Sequence, residues 1–329
     1  PRLSKYLNTS VSIAPLAGFR ILFGFIMLVS IVRFMLRGWI KTQYIEPEFY
    51  FTFYGFEWIA PLGAQGMYLL FTIMAISAIM IMLGYRYRLA ALLFFLSFTY
   101  VELIDKTNYL NHYYFVSIIS FLLIFLPANG SYSLDAWLNP KIAVSRVPRW
   151  TITIIQLQLA IVYLYAGAAK LNPDWLFEAM PLKIWLPANS HLPLIGPLLA
   201  QPLTAYFFSW VGAVYDLTIV FFLINRITRP WAYLAVVVFH LSTAALFQIG
   251  MFPYIMILAT LIFFPAEFHQ GWLGKAIPAF NQVSRVRRYK HQTSWIIGSV
   301  LVLHFTIQLL LPLRSHLYPG DLFWTEEGY

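Results

Sequence analysis

Apolar stretches of roughly 17–25 residues follow one another along almost the whole chain, and no other feature constrains the fold as strongly. A helix of that length crosses about 30 Å of hydrocarbon. Lipid offers no partner to backbone N–H and C=O groups, so a crossing segment must be a helix or part of a closed barrel. The stretches lack the alternation of barrel strands. The predicted fold class is therefore all-α, a polytopic transmembrane helix bundle. Nine spans are read, at 13–36, 66–84, 88–104, 109–127, 150–170, 204–224, 229–247, 250–265 and 295–312. Composition points the same way: the chain is 60% hydrophobic and 11% charged, where a soluble domain carries about 25% charged residues.

The net charge of +9 raises nucleic acid as a partner, but the basic residues fall in alternate short loops and tails, as topology signals do. With the N-terminus inside, 14 of the 22 Lys and Arg lie on the inner side and 6 on the outer. Arg20 and Arg33 lie within the first span. The expected orientation is N-terminus inside and C-terminus outside, with no nucleic-acid partner. Arg285 to Lys290 reads as a topology signal, with an anionic-lipid site as the alternative. The absence of cysteine removes disulfides, thiolate metal sites and a cysteine nucleophile; no metal site is read. No cleavable leader is evident. Residues 1–313 are expected to form the bundle, with 174–203, which holds Trp175, Trp185 and five prolines, as short interfacial pieces, and 314–329 to begin an outer region.

Ionisable residues inside a bilayer are costly and point to function. They cluster near the outer end of the bundle. The third span closes on Glu102, Asp105, Lys106 and Thr107, and the fourth opens with Asn111 and His112. The fifth ends Tyr163-Leu164-Tyr165-Ala166-Gly167-Ala168-Ala169-Lys170, so Lys170 and His112 reach similar depth on different helices. The small residues before Lys170 admit a neighbouring helix or a flat ligand. Desolvation disfavours an ammonium, which is how a lysine in an apolar setting becomes a general base; the blander reading is a lysine reaching to the interface. His240 lies deeper and would floor the same pocket, while His304 is assigned to packing. Arg20 and Asp216 come out at matching depth, roughly 10–12 Å from the inner surface, and are expected to pair as a structural bridge.

At these same residues the chain resembles the vitamin K-dependent γ-glutamyl carboxylase family and its bacterial relatives, the horizontally transferred transmembrane domain group. The resemblance rests on Asp105-Lys106-Thr107 with Asn111-His112, on Tyr163 to Trp175, and on Phe239-His240 with Leu246-Phe247-Gln248-Ile249-Gly250-Met251-Phe252-Pro253-Tyr254. The family oxygenates vitamin K hydroquinone to its epoxide and couples this to removal of a glutamate γ-proton and addition of CO2. The resemblance implies that Lys170 deprotonates the quinol, that His112 with Asn111 gives polar support, and that Asp105, Lys106, Tyr163, Gly167, His240, Met251 and Phe252 bind it. It also implies vitamin K hydroquinone or menaquinol as cofactor, O2 and CO2 as co-substrates, and a glutamate-containing peptide or protein as partner, beside the lipid bilayer. The location it implies is a bacterial inner membrane, with the active site near the outer face. A glutamate γ-proton is too weakly acidic for any side chain, so the strong base must come from oxygen chemistry in a dry site.

The chain departs from the animal pattern at Ala169, where animal members have a second lysine, and at Ala244 and Ala245, where they have polar residues nearby. Ser315-His316 through Trp324-Thr325 to Gly328-Tyr329 resembles the family's return from the last span, with the outer β-rich domain expected to lie outside this chain. Two other classes compete: a quinone-binding redox protein that carboxylates nothing, with haem ligation by histidines as one form, and a carrier or channel, for which the inner half offers few polar residues.

Overall fold

The computed structural model describes residues 2–276, 285–287 and 291–317. Among them the chain is mostly helical, and each expected span carries a helix. These are α1 (Ala14–Leu36), α2 (Gly63–Leu83), α3 (Tyr87–Glu102), α4 (Asn111–Phe125), α5 (Trp150–Ala169), α6 (Pro202–Ile224), α7 (Arg229–Leu246) and α8 (Phe252–Thr260). After α8 and a single 3-10 turn come α9 (Ala266–Ala276) and, further on, α10 (His291–Leu310). The protein is an integral membrane protein of several crossings. Length and composition qualify five helices as membrane spans, or six if the α8–α9 pair, bent by 114°, counts as one, against the nine expected.

The difference has local causes. At 1.5 Å per residue α3 and α4 run only about 24 and 22 Å, short of the roughly 30 Å hydrocarbon core. Helix α4 stops at Phe125 because Leu126 precedes Pro127 and takes an extended conformation (φ −87°, ψ 143°). The α8–α9 bend falls at Pro265, which has no N–H to continue the ladder. One feature outside the all-α expectation is a two-stranded antiparallel ribbon, β1 (Ser10–Ser12) with β2 (Arg146–Pro148). Arg146 also bridges to Val286, so part of the basic run of residues 285–290 is tied into backbone pairing; residues 288–290 lie outside the described residues.

The chain forms two compact units, Pro1–Gln156 with Leu223–Arg287, and Leu157–Phe222 with Arg288–Tyr329. In the first, α1 packs on α2, α8 and α9. Gly24 makes the α1–α2 approach possible: a Cβ there would lie 2.5 Å from Met82 N and 2.7 Å from Ala78 O. Arg20 of α1 is fully buried, and its guanidinium donates to Ala128 O at 3.1 Å and to Tyr132 O. The expected Arg20–Asp216 bridge is thus corrected. Arg20 is bonded to carbonyls of the loop after α4, with its Nε left without a partner among the described residues, and Asp216 takes a different cation. Gly84 ends α2 in the left-handed region (φ 64°), and a Cβ on it would collide with the Arg20 guanidinium.

Candidate functional site

In the second unit α5 ends at Ala169, and its open C-terminal carbonyls are met by side chains of the next few residues. Lys170 Nζ donates to Ala166 O at 3.0 Å and to Asp216 Oδ2 of α6 at 2.7 Å. The side chain of Lys170 is 20% exposed and that of Asp216 7%. The expectation of an amine in a purely apolar setting is corrected here, because a buried carboxylate stands against it. Of the two neighbours expected for the small-residue stretch, the structure supplies the helix: a Cβ on Gly167 would lie 2.7 Å from Leu217 Cγ and 2.9 Å from Leu217 N. Tyr163, two turns earlier on α5, is buried and meets Tyr215 edge-on, ring centroids 6.0 Å apart.

Asp216 lies about 20 Å along α6 from its first residue at 1.5 Å per residue. Lys170 therefore sits opposite the interior of α6, not its first turn. The first half of α6 is flanked by short helical pieces between Pro173 and Leu199. Asn172 starts that segment. Its Oδ1 accepts from Trp175 N at 2.9 Å while its Nδ2 donates to Ala169 O at 2.8 Å. Trp175 is pinned to α6 by Nε1 donating to Ser209 O at 2.9 Å and by the Ser209 hydroxyl donating to Trp175 O. The indole so held lies 5.3 Å from the Lys170 ammonium, centroid to nitrogen, within cation–π range.

The first unit holds a second group of expected residues. His112 of α4 is buried, and its Nε2 has no hydrogen-bond partner among the described residues. Its ring lies 5.7 Å from that of Phe252, whose other neighbour is the His240 ring at 5.6 Å. Met251 is buried beside them in sequence, at the N-cap of α8. Gly250 (φ 65°) lies beside the orphaned nitrogen, where a Cβ would stand in ordinary contact 3.9 Å from His112 Nε2. A buried imidazole without a partner beside two rings fits a flat ligand with a polar oxygen. The residues present thus fit a quinol-type group.

Other expected residues are placed differently. Asp105 is a local cap: its Oδ1 accepts from Thr107 N at 3.0 Å, Thr107 Oγ1 at 2.9 Å and Phe51 N at 3.3 Å. Lys106 and Asn111 are exposed. His304, assigned to packing, joins a polar chain in the second unit: its Nε2 lies 3.0 Å from Gln158 Oε1, and Gln158 Nε2 donates to Gln308 Oε1 at 3.3 Å. The sequence reading gave no role to Glu102, whose Oε2 is buried without a hydrogen-bond partner. A lone acid at the end of an apolar run was the signal for it. The resemblance of 324–329 falls outside the described residues.

These features define a helical membrane protein with a half-buried lysine paired to a buried carboxylate in one unit and an orphaned histidine in the other. The HTTM domain family matches residues 8–268, and the chain belongs to it. The lumenal domain of vitamin K-dependent gamma-carboxylase matches residues 293–329, which makes the protein a relative of that carboxylase family. No solved structure matches the chain.

Proposed function

We propose that this protein is a vitamin K-dependent γ-glutamyl carboxylase-like membrane enzyme. It oxygenates vitamin K hydroquinone, or menaquinol, to the epoxide and couples this to carboxylation of a glutamate-containing peptide, with O2 and CO2 as co-substrates. The observation that carries the reading is Lys170 Nζ. Two of its three hydrogens are held by Ala166 O and Asp216 Oδ2, and the third has no acceptor among the described residues. A half-buried amine with one uncommitted position is placed to exchange a proton with a hydroxyl. The two family matches support carboxylase-type chemistry. The match to a lumenal domain at residues 293–329 supports an outer C-terminus, and in this reading α3, α4 and α7 also cross.

A quinone-binding redox protein without carboxylase activity is the second reading, favoured by Ala169, Ala244 and Ala245 in places where animal members of the family have a lysine and polar residues nearby. One experiment separates them. Protein in lipid nanodiscs is given vitamin K hydroquinone, O2 and labelled CO2, with and without a glutamate peptide. Epoxide together with labelled peptide is expected. Epoxide without label selects a reading without carboxylation, and the absence of epoxide contradicts the enzyme assignment.

A further inference from the structure

An ammonium already carrying three protons cannot accept a fourth, yet the geometry around Lys170 is that of an ammonium beside a carboxylate. The Nζ–Oδ2 distance of 2.7 Å and the 5% exposure of Asp216 leave no room for water between them. We propose that Asp216 is the proton acceptor and positioning partner through which Lys170 acts as a base. The inference rests on the reading of Lys170 as the quinol base.

In the step, the quinol O–H bond breaks and its proton passes to Nζ while one Nζ–H proton passes to Oδ2. One O–H bond is lost on the quinol and one is gained on Asp216. Lys170 keeps three hydrogens and its charge, so the ammonium stays beside the new phenoxide oxygen and stabilises it. No electron changes hands. Without Asp216 the amine would have to lose a proton to solvent first.

Three contacts fix the donor for this relay. Ala166 O is held in the last turn of α5 and sets the direction of Nζ. Gly167 lets α6 approach closely enough for Asp216 to reach it. Trp175, anchored at Ser209, holds its ring 5.3 Å from Nζ. Tyr215, next to Asp216 on α6, meets the ring of Tyr163 of α5 edge-on; Asp174, on the segment after α5, is exposed and forms no ion pair with Lys170.

The test compares epoxide formation in wild type, Asp216→Asn and Asp216→Glu. Asp216→Asn should lower kcat at least about 100-fold, the scale of a positioned base, with the quinol KM within about threefold. Its rate should climb about tenfold per pH unit as solvent takes over the proton, where the wild type is flat. Asp216→Glu should recover to within about tenfold of wild type, and Lys170→Ala/Asp216→Asn should be no slower than Lys170→Ala alone, as for groups acting as one unit. If Asp216→Asn does not fold, a proton inventory of the wild type decides: a bowed dependence on deuterium content reports two protons moving together, and a straight line overturns the relay. Epoxide from wild type with an unchanged rate and pH profile in Asp216→Asn overturns the relay alone. No epoxide from wild type overturns the enzyme reading and the relay together.

Discussion

Arg20 and Lys170 are both cations placed in helical, apolar surroundings, and they are handled in opposite ways. Arg20 is 0% exposed and bonded to two backbone carbonyls, with Gly84 opened to make space for it. Those partners are fixed dipoles that cannot take a proton, so the guanidinium is locked and serves to hold the loop after α4. Lys170 has one carbonyl, one titratable carboxylate and one uncommitted hydrogen. A cation whose hydrogen-bond partners cannot take a proton is a structural bolt; one with a titratable partner is equipped for chemistry.

The comparison breaks first at Arg20. Arg20→Leu removes the two hydrogen bonds to the Ala128 and Tyr132 carbonyls, at about 1–3 kcal/mol each for bonds from a charged donor, and should lower stability by about 3 kcal/mol or more in a denaturant titration. Turnover per folded molecule should be unchanged, and a folded but inactive Arg20→Leu would make the two cations alike. Gly84→Ala should act next, at about 2 kcal/mol, through the positive φ and the collision with the guanidinium. A thermal melt equal to wild type would show that Arg20 has slack.

The second unit supplies its own controls. Gln158→Leu removes the centre of the His304–Gln158–Gln308 chain and should cost about 1 kcal/mol with little change in rate. A hundredfold rate loss would move that chain into the chemistry and weaken the distinction drawn at Lys170. The smallest effect is expected at Lys183, a half-buried cation held 2.8 Å from the Tyr206 hydroxyl and 4.5 Å from its ring centroid. The hydrogen bond to Tyr206, then the nearby Glu178 charge, raise its pKa above the ordinary 10.5. A raised lysine stabilises the fold fully below its unfolded value and loses that contribution as pH climbs through the folded one. Wild type and Lys183→Met should therefore melt with the same small offset from pH 6 to 9, and the offset should fade only above about pH 10.5. An offset that vanishes near pH 8 would contradict the Tyr206 hydrogen bond.

The positions of the helices were legible because apolar length is a property of each stretch alone, and Pro127 and Pro265 mark breaks that any reader of the sequence can see. The partners of the buried charges were not. Matching Arg20 with Asp216 assumed helices flush with both membrane surfaces, so that depth could be counted along the chain. Lys170 meets Asp216 instead, 46 residues away, because α5 ends opposite the interior of α6 while the segment after it runs beside the first half of α6. Nothing local in residues 170–201 announces that offset. Arg20 was misread for a related reason: its acceptors are main-chain carbonyls, which carry no sequence signature. Lys170, by contrast, was visible from its placement after Ala166-Gly167-Ala168-Ala169, and Gly167 does admit a close neighbour, a helix.

Epoxide formation by Lys170→Ala in nanodiscs, assayed against pH with and without a small exogenous amine, tests the central claim most directly. Removing the base should cost at least about 100-fold in rate while the melting curve stays near wild type and quinone still binds. The added amine should restore part of the loss, since Asp216 remains in place to receive a proton. Near wild-type turnover without added amine would contradict the account, leaving Lys170 as the partner of a buried carboxylate and nothing more.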